Sequence, residues 1–187
     1  MARAAQKPDE DVVFSPVLLP NPGHANGWPL ALMVSSQTEA RHNRASWAPT
    51  HLISIRAPDT KLLSMIDLPE EKHLQLIFGD TMDPEERDAA RPQAIAEAFA
   101  FIDGLPTDAR LLVHCLRGIG RSTALTLGIL ARYMDPEAAA AALHALRPDA
   151  KPNRHVVGLC DSALGLKGKL AKQALRFPAK VWKPAKG

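Results

Sequence analysis

Leu111-Leu-Val-His-Cys-Leu-Arg-Gly-Ile-Gly-Arg-Ser-Thr123 is the stretch that organises this chain. Leu111–Cys115 is a short apolar run, which predicts a buried, central strand. Gly118 and Gly120 follow, and two glycines allow a tight turn that aims several N–H groups into one concavity. From Arg121 to Met134 the sequence is mostly apolar and reads as a helix buried on most sides. That helix offers its unpaired first amides and positive dipole end to the same point. Arg121 adds a planar fork of donors matched to phosphate oxygens. The whole describes an anion site, without the lysine of a nucleotide-binding GxxxxGK[ST] loop. Cys115 stands at the first position of the loop. Amides, a helix N-terminus and a guanidinium around a sulfur favour the thiolate. Such a thiolate would face the phosphorus of a bound phosphate ester, an activated nucleophile inside its own transition-state cradle. Ser122 is placed to donate its hydroxyl to that sulfur.

Outward from this stretch, His51–Ile55 and His73–Phe78 read as strands, and Leu30–Val34 as a strand or a helix. The second strand runs into Gly79-Asp80, where Gly79 supplies a hinge, and Asp83-Pro84 signals a turn or a helix start. Residues 92–105 carry Ile95, Phe99 and Ile102 at helical spacing behind a proline suited to a first turn. Pro136–Leu146 and Asn153–Leu164 predict two further helices, each opened by a Pro, Asp or Asn signal. This order predicts a single α/β domain: a small, mostly parallel central sheet flanked by helices, with a phosphate-binding loop between a buried strand and a helix. Proline punctuates the first 28 residues, which read as extended with at most one edge strand. The expected division is an N-terminal extension packing on the domain (1–45), the domain proper (46–176) and a basic tail (177–187).

Composition agrees with one globular unit: 187 residues, 46% hydrophobic and 23% charged. No apolar run approaches the length of a membrane span. The opening MARAAQKPDEDVVF lacks a basic-then-apolar leader, so the expected location is cytoplasmic with reduced thiols. Cys115 and Cys160 make neither a disulfide framework nor a zinc-ligand pair, and no metal or cofactor is expected. Cys160, beside Val156 and Val157 on one helical face, reads as core. The net charge of +3 is uneven, because from Ser162 onward there are seven Lys or Arg and no Asp or Glu. The basic balance therefore belongs to the tail, which suits a weak anionic partner better than nucleic acid. Trp28, Trp47 and Trp182 show no basic interleaving suited to base stacking. Leu166, Leu170 and Ala174 at four-residue steps place the start of this basic segment on the domain, with Phe177 onward free of it.

His114-Cys115-x-x-Gly118-x-x-Arg121-Ser122 resembles the signature of the protein tyrosine phosphatase superfamily. A weaker likeness over roughly 50–165 is to its compact dual-specificity branch and short bacterial relatives, to which Pro152-Asn153-Arg154 is also similar. The resemblance implies hydrolysis of phosphate monoesters without metal through a phosphocysteine on Cys115. It implies an Arg121 clamp on the phosphoryl oxygens, a phosphate cradle of Leu116, Arg117, Gly118, Ile119 and Gly120, and a Ser122 that helps the thiolate leave. His114 would support the loop, although a packed histidine whose ring bonds nearby backbone accounts for it as well. The resemblance also asks for an aspartic acid on a loop upstream of the cysteine, to protonate the leaving oxygen. Asp80 lies 35 residues before Cys115 and Asp83 lies 32 before. Neither stands in a Trp-Pro-Asp sequence. Asp80, directly after a strand, is preferred, and Asp83 reads better as a cap for the segment that follows it. Protein phosphotyrosine is the leading substrate. A phosphoinositide or inositol phosphate is the alternative; Leu116 and Ile119 do not supply the loop lysines of such enzymes, though Arg117 adds charge. A third reading is a phosphate-reading module with little turnover, and a sulfurtransferase fits Gly-Arg-Ser least.

Overall fold

The structure is a computed structural model and describes residues 31–60 and 68–178. The edge strand expected within the first 28 residues lies outside them. The elements are β1 (Leu32–Ser36), α1 (Gln37–Trp47), β2 (His51–Arg56), β3 (His73–Ile77), α2 (Pro92–Asp103), β4 (Leu111–Cys115), α3 (Arg121–Ala131), α4 (Pro136–Leu146), α5 (Arg154–Ala163) and α6 (Lys169–Ala174). A single 3₁₀ turn, Glu70–Lys72, leads into β3.

Among the described residues the four strands form one sheet in the order β1-β4-β2-β3, with every pairing parallel. Parallel neighbours need crossovers, and helices fill them, so both faces of the sheet are covered. β4 is buried along its whole length because it has a strand on each side and helices above and below. Its alternation divides the interior. Leu111, Val113 and Cys115 join the larger core with Ile53, Ile55 and the helices from α2 to α6. Leu112 joins a smaller core with Met33, Leu52 and Ala40 of α1. α3 is buried at all eleven of its residues, as its apolar sequence predicts. Gly128 is what lets α5 approach it: a Cβ there would lie 2.5 Å from Cys160 Sγ. Cys160 is fully buried in the core, as expected.

Several boundaries differ from expectation. The alternative of a helix at Leu30–Val34 gives way to β1, whose residues pair with β4 in register. The line drawn at residue 45 therefore falls inside α1, and residues 32–45 belong to the sheet and its covering helix. α1 starts with a capping box, Ser36 Oγ accepting from the Glu39 amide while Glu39 accepts from the Ser36 amide. α3 stops at Ala131, three residues short of Met134, where the chain turns toward Asp135, the cap of α4. At the other end Leu170 and Ala174 are buried as their spacing suggests, but Phe177 is buried too, so the packed part of the basic segment reaches one residue past the boundary at 176. No helix among the described residues is long and apolar enough to cross a membrane.

Candidate active site

The loop between β4 and α3 is held from behind by its carbonyl groups. Leu116 O accepts from the Gln37 amide, Ile119 O from the Lys151 amide, and Gly120 O from the Asn153 amide. Thr123 Oγ1 donates to Ile119 O and Gly120 O. With three of its carbonyls bonded on the outside, the loop directs the Gly118 N–H at Cys115 Sγ across 3.3 Å. Gly118 is required twice over. Its φ is +70°, and a Cβ there would lie 2.7 Å from the Ser35 carbonyl oxygen, inside the backbone at the end of β1. Register explains the closeness, since Ser36 stands opposite Cys115.

Cys115 is 2% exposed, and its Sγ lies 3.2 Å from Ser122 Oγ, in the first turn of α3. The sulfur therefore has a backbone N–H directed at it and a hydroxyl within hydrogen-bond reach, with a helix N-terminus behind. Arg121 is buried beside it at 6% exposure. Its Nη1 donates to Phe78 O at 2.9 Å, while its Nε makes no hydrogen bond among the described residues. A buried guanidinium with an unused N–H on a hollow lined by Cys115, Leu116, Gln37 and Arg56 is arranged to receive an anion. Leu116 and Arg117 are exposed at the rim of the loop, Gly118 and Gly120 are buried, and Ile119 is half-buried. Gln37 and Arg56 were not singled out from sequence. They enter because β1 and β2 both end beside the loop, which only the strand order reveals.

Asp80 and Asp83 part company. Asp80 lies against the loop: a Cβ on Gly120 would lie 2.9 Å from Asp80 Oδ2, so Gly120 makes room for that carboxylate. Asn153 Nδ2 donates to Asp80 Oδ1 and to Thr81 O, each at 2.9 Å. Asn153 Oδ1 meanwhile caps α5 by accepting from the Val156 amide. One buried asparagine thus joins the helix start, the loop carbonyl of Gly120 and the Asp80 segment. Sequence marked Asn153 as a helix start and as part of the Pro152-Asn153-Arg154 likeness, and gave no sign of its contact with Asp80. Asp83 is exposed and its Oδ1 accepts from the Glu85 amide, an Asx turn. No helix follows it, only turns as far as Ala89. Gly79, expected as a hinge, donates its N–H to Asp88 O at 2.6 Å and closes the segment into a ring.

His114 is buried, and its ring finds a side chain where nearby backbone was expected: Nε2 lies 2.6 Å from Ser54 Oγ on β2. Burial, and then the neighbouring His73, lower its pKa to about 4, against a smaller opposing effect of the Cys115 main chain. His114 is neutral at ordinary pH. It lines the hollow beside Cys115 and carries no charge into it.

No protein-family model matches the chain, and no curated protein matches it in sequence. Solved structures do match in shape. The PTP-2 phosphatase of Cydia pomonella superposes with a TM-score of 0.56 at 20% identity, covering 70% of this chain and 84% of that one. DUSP15 superposes with a TM-score of 0.54 at 23% identity, covering 84% and 97%. Human DUSP28 superposes with a TM-score of 0.52 at 18% identity, covering 73% and 92%. The chain has the single-domain α/β fold of these phosphatases.

Proposed function

We propose that this chain, built on the fold of the dual-specificity and tyrosine phosphatases, hydrolyses phosphate monoesters through a cysteinyl-phosphate on Cys115, with protein phosphotyrosine as its leading substrate. One observation carries the reading. The Cys115 sulfur is met by the Gly118 amide and the Ser122 hydroxyl on the floor of a hollow that also holds the buried Arg121 guanidinium.

In this reading the phosphoryl group takes the place for which the inward amides of Leu116–Gly120 and the Arg121 fork are preorganised. Sγ attacks phosphorus in line. The S–P bond forms as the ester P–O bond breaks, and Asp80 gives its proton to the departing oxygen. Asp80 is the better donor than Asp83, because its carboxylate touches the loop at Gly120 while Asp83 faces solvent in a turn. Water then attacks the phosphocysteine. Its proton returns to the Asp80 carboxylate, inorganic phosphate leaves, and Ser122 donates to the released thiolate. Arg121 faces growing equatorial charge through both steps, which is where a planar fork contributes most.

The test is a steady-state panel of phosphotyrosine peptide, phosphothreonine peptide and phosphoinositide, run in excess chelator. Hydrolysis of the first is expected, abolished by Cys115→Ser and lowered by Arg121→Lys. A rapid acid quench of Asp80→Asn should trap phosphate on Cys115. Turnover of Cys115→Ser within tenfold of the parent, or phosphate trapped on another residue, would overturn the mechanism. Preference for the phosphoinositide would replace the substrate and leave the mechanism standing.

A further inference from the structure

His114 is one end of a chain of polar groups that crosses the sheet. Ser54 Oγ lies 2.6 Å from His114 Nε2 on β4 and 2.8 Å from His73 Nε2 at the start of β3. The strand order places β2, and so Ser54, between the two histidines. Register aligns them: Ser54 stands opposite His114, and His73 stands opposite Leu52, two residues earlier on the same face. All three lie on the face of the smaller core, where Leu52, Leu112 and Met33 surround them with apolar side chains. Ser54 is wholly buried.

A count of protons decides how the chain runs. Each of the two contacts needs one hydrogen. Ser54 has one O–H, so one ring must supply the other from its Nε2. Hydroxyl donors make shorter bonds than ring N–H donors. The shorter contact is to His114, so Ser54 donates there and accepts from His73. His114 is then left with its single proton on Nδ1, a buried atom that makes no hydrogen bond among the described residues. Which nitrogen of an imidazole carries the proton is set by the bond that the other one makes.

We propose that Ser54 and His73 are positioning residues, which fix the tautomer and ring orientation of His114 through the order His73 Nε2–H, Ser54 Oγ–H, His114 Nε2, and thereby hold in one orientation the residue that precedes Cys115, where the phosphate-binding loop begins. The proposal rests on the phosphatase reading for its kinetic consequence alone; the proton order itself is a property of the fold. Neither residue touches the hollow that receives phosphate. They act through His114, as a buried hydrogen-bonded partner does when it holds a ligand-facing group in one orientation.

Two measurements test it on the full chain. Ring ¹⁵N–¹H correlation spectra report the His114 tautomer without any need for turnover. The Nδ1–H form is expected in the parent and in His73→Gln, whose side-chain amide can still donate to Ser54. A mixture of tautomers is expected in Ser54→Ala and in His73→Phe. Alongside, kcat for an aryl phosphate should fall on the order of tenfold in Ser54→Ala with KM nearly unchanged, as for a slightly misplaced nucleophile. Unchanged His114 ring shifts in Ser54→Ala, or an Nε2–H tautomer in the parent, would overturn the proposal. If Ser54→Ala does not fold, the parent spectrum and His73→Phe decide it. Lack of turnover by the parent with the expected tautomer pattern would refute the phosphatase reading and not this one.

Discussion

Replacing Asn153 separates its two duties. The side chain is fully buried, caps α5 through Oδ1 and holds Asp80 and Thr81 through Nδ2. In Asn153→Ala the lost cap costs about 1 kcal/mol. Taking a buried donor from a carboxylate and a carbonyl adds roughly 1–3 kcal/mol. The sum of about 2–4 kcal/mol corresponds to a fall in Tm of roughly 5–15 °C for a chain of this size. Asn153→Ser keeps a capping oxygen but is too short to span to Asp80, so it should recover about 1 kcal/mol of that loss. The kinetic effect should not recover with it. A phenolate leaves with little help, whereas an alkoxide needs its proton, so a displaced acid shows mainly on poor leaving groups. Both variants should lose roughly 10-fold to 100-fold in kcat on an alkyl phosphate, and far less on an activated aryl phosphate. The assay pairs urea denaturation with kcat on the two substrates. An Asn153→Ser variant that hydrolyses the alkyl ester at the parent rate would refute the idea that this asparagine seats the acid.

Other outcomes can be checked beside it. Asp80→Asn should lower turnover by roughly 10²–10⁴ and flatten the alkaline limb of the pH–rate profile, while Asp83→Asn, which loses only an exposed turn contact, should change kcat little; the reverse pattern would exchange their roles. Iodoacetamide near neutral pH should modify Cys115 before Cys160, and vanadate should protect Cys115. Burial, reinforced by Asp161, pushes the Cys160 thiol up to about 12, so faster alkylation of Cys160 would contradict the packing. Gly128→Ala should be strongly destabilising because its methyl meets both Sγ and Cβ of Cys160, and Cys160→Gly in the same chain, which removes both atoms, should restore part of the loss; equal stability of the single and double variants would discount that contact. Stability should fall on acidification: His114 titrates at about 4 when folded, so only the unfolded chain takes up its proton as pH drops below the ordinary imidazole value of about 6.5. That group contributes a loss of about 3 kcal/mol by pH 4 and no further slope below it. His51 and His73, both lowered chiefly by burial, act in the same direction. Denaturation midpoints that stay level from pH 7 to 4 would refute this.

What the sequence disclosed and what it concealed follow from how local each signal is. The strand, loop and helix from Leu111 to Ala131 are contiguous, and their glycines, arginine and apolar run each point to one conformation. Asp80 was reachable because it directly follows a strand. α1 was missed although Ser36 and Glu39 spell a capping box, because its sequence, QTEARHNRASW, is mostly polar and carries few apolar residues to mark a buried face. Helical periodicity has little to register on such a helix. β1 was ambiguous because five apolar residues fit a strand or a helix equally, and its place beside β4 is a matter of pairing, not composition. The clamp at Asn153 joins residues 73 positions apart, a relation that no local pattern carries.

The insertion of β4 between β1 and β2 also fixes the order in which the protein can be completed. During synthesis β1, β2 and β3 emerge first, yet among the described residues β1 has no strand neighbour in the sheet until Leu111–Cys115 arrives. Until then two parallel edges stand open, each with unpaired backbone groups and apolar side chains. Such long-range parallel pairing is slow because loop closure precedes its reward. The last of the described strands to form is therefore the one that carries the cysteine. A ribosome-bound chain ending before β4 would be aggregation-prone and devoid of the anion site, and the same event would close the sheet and create the nucleophile.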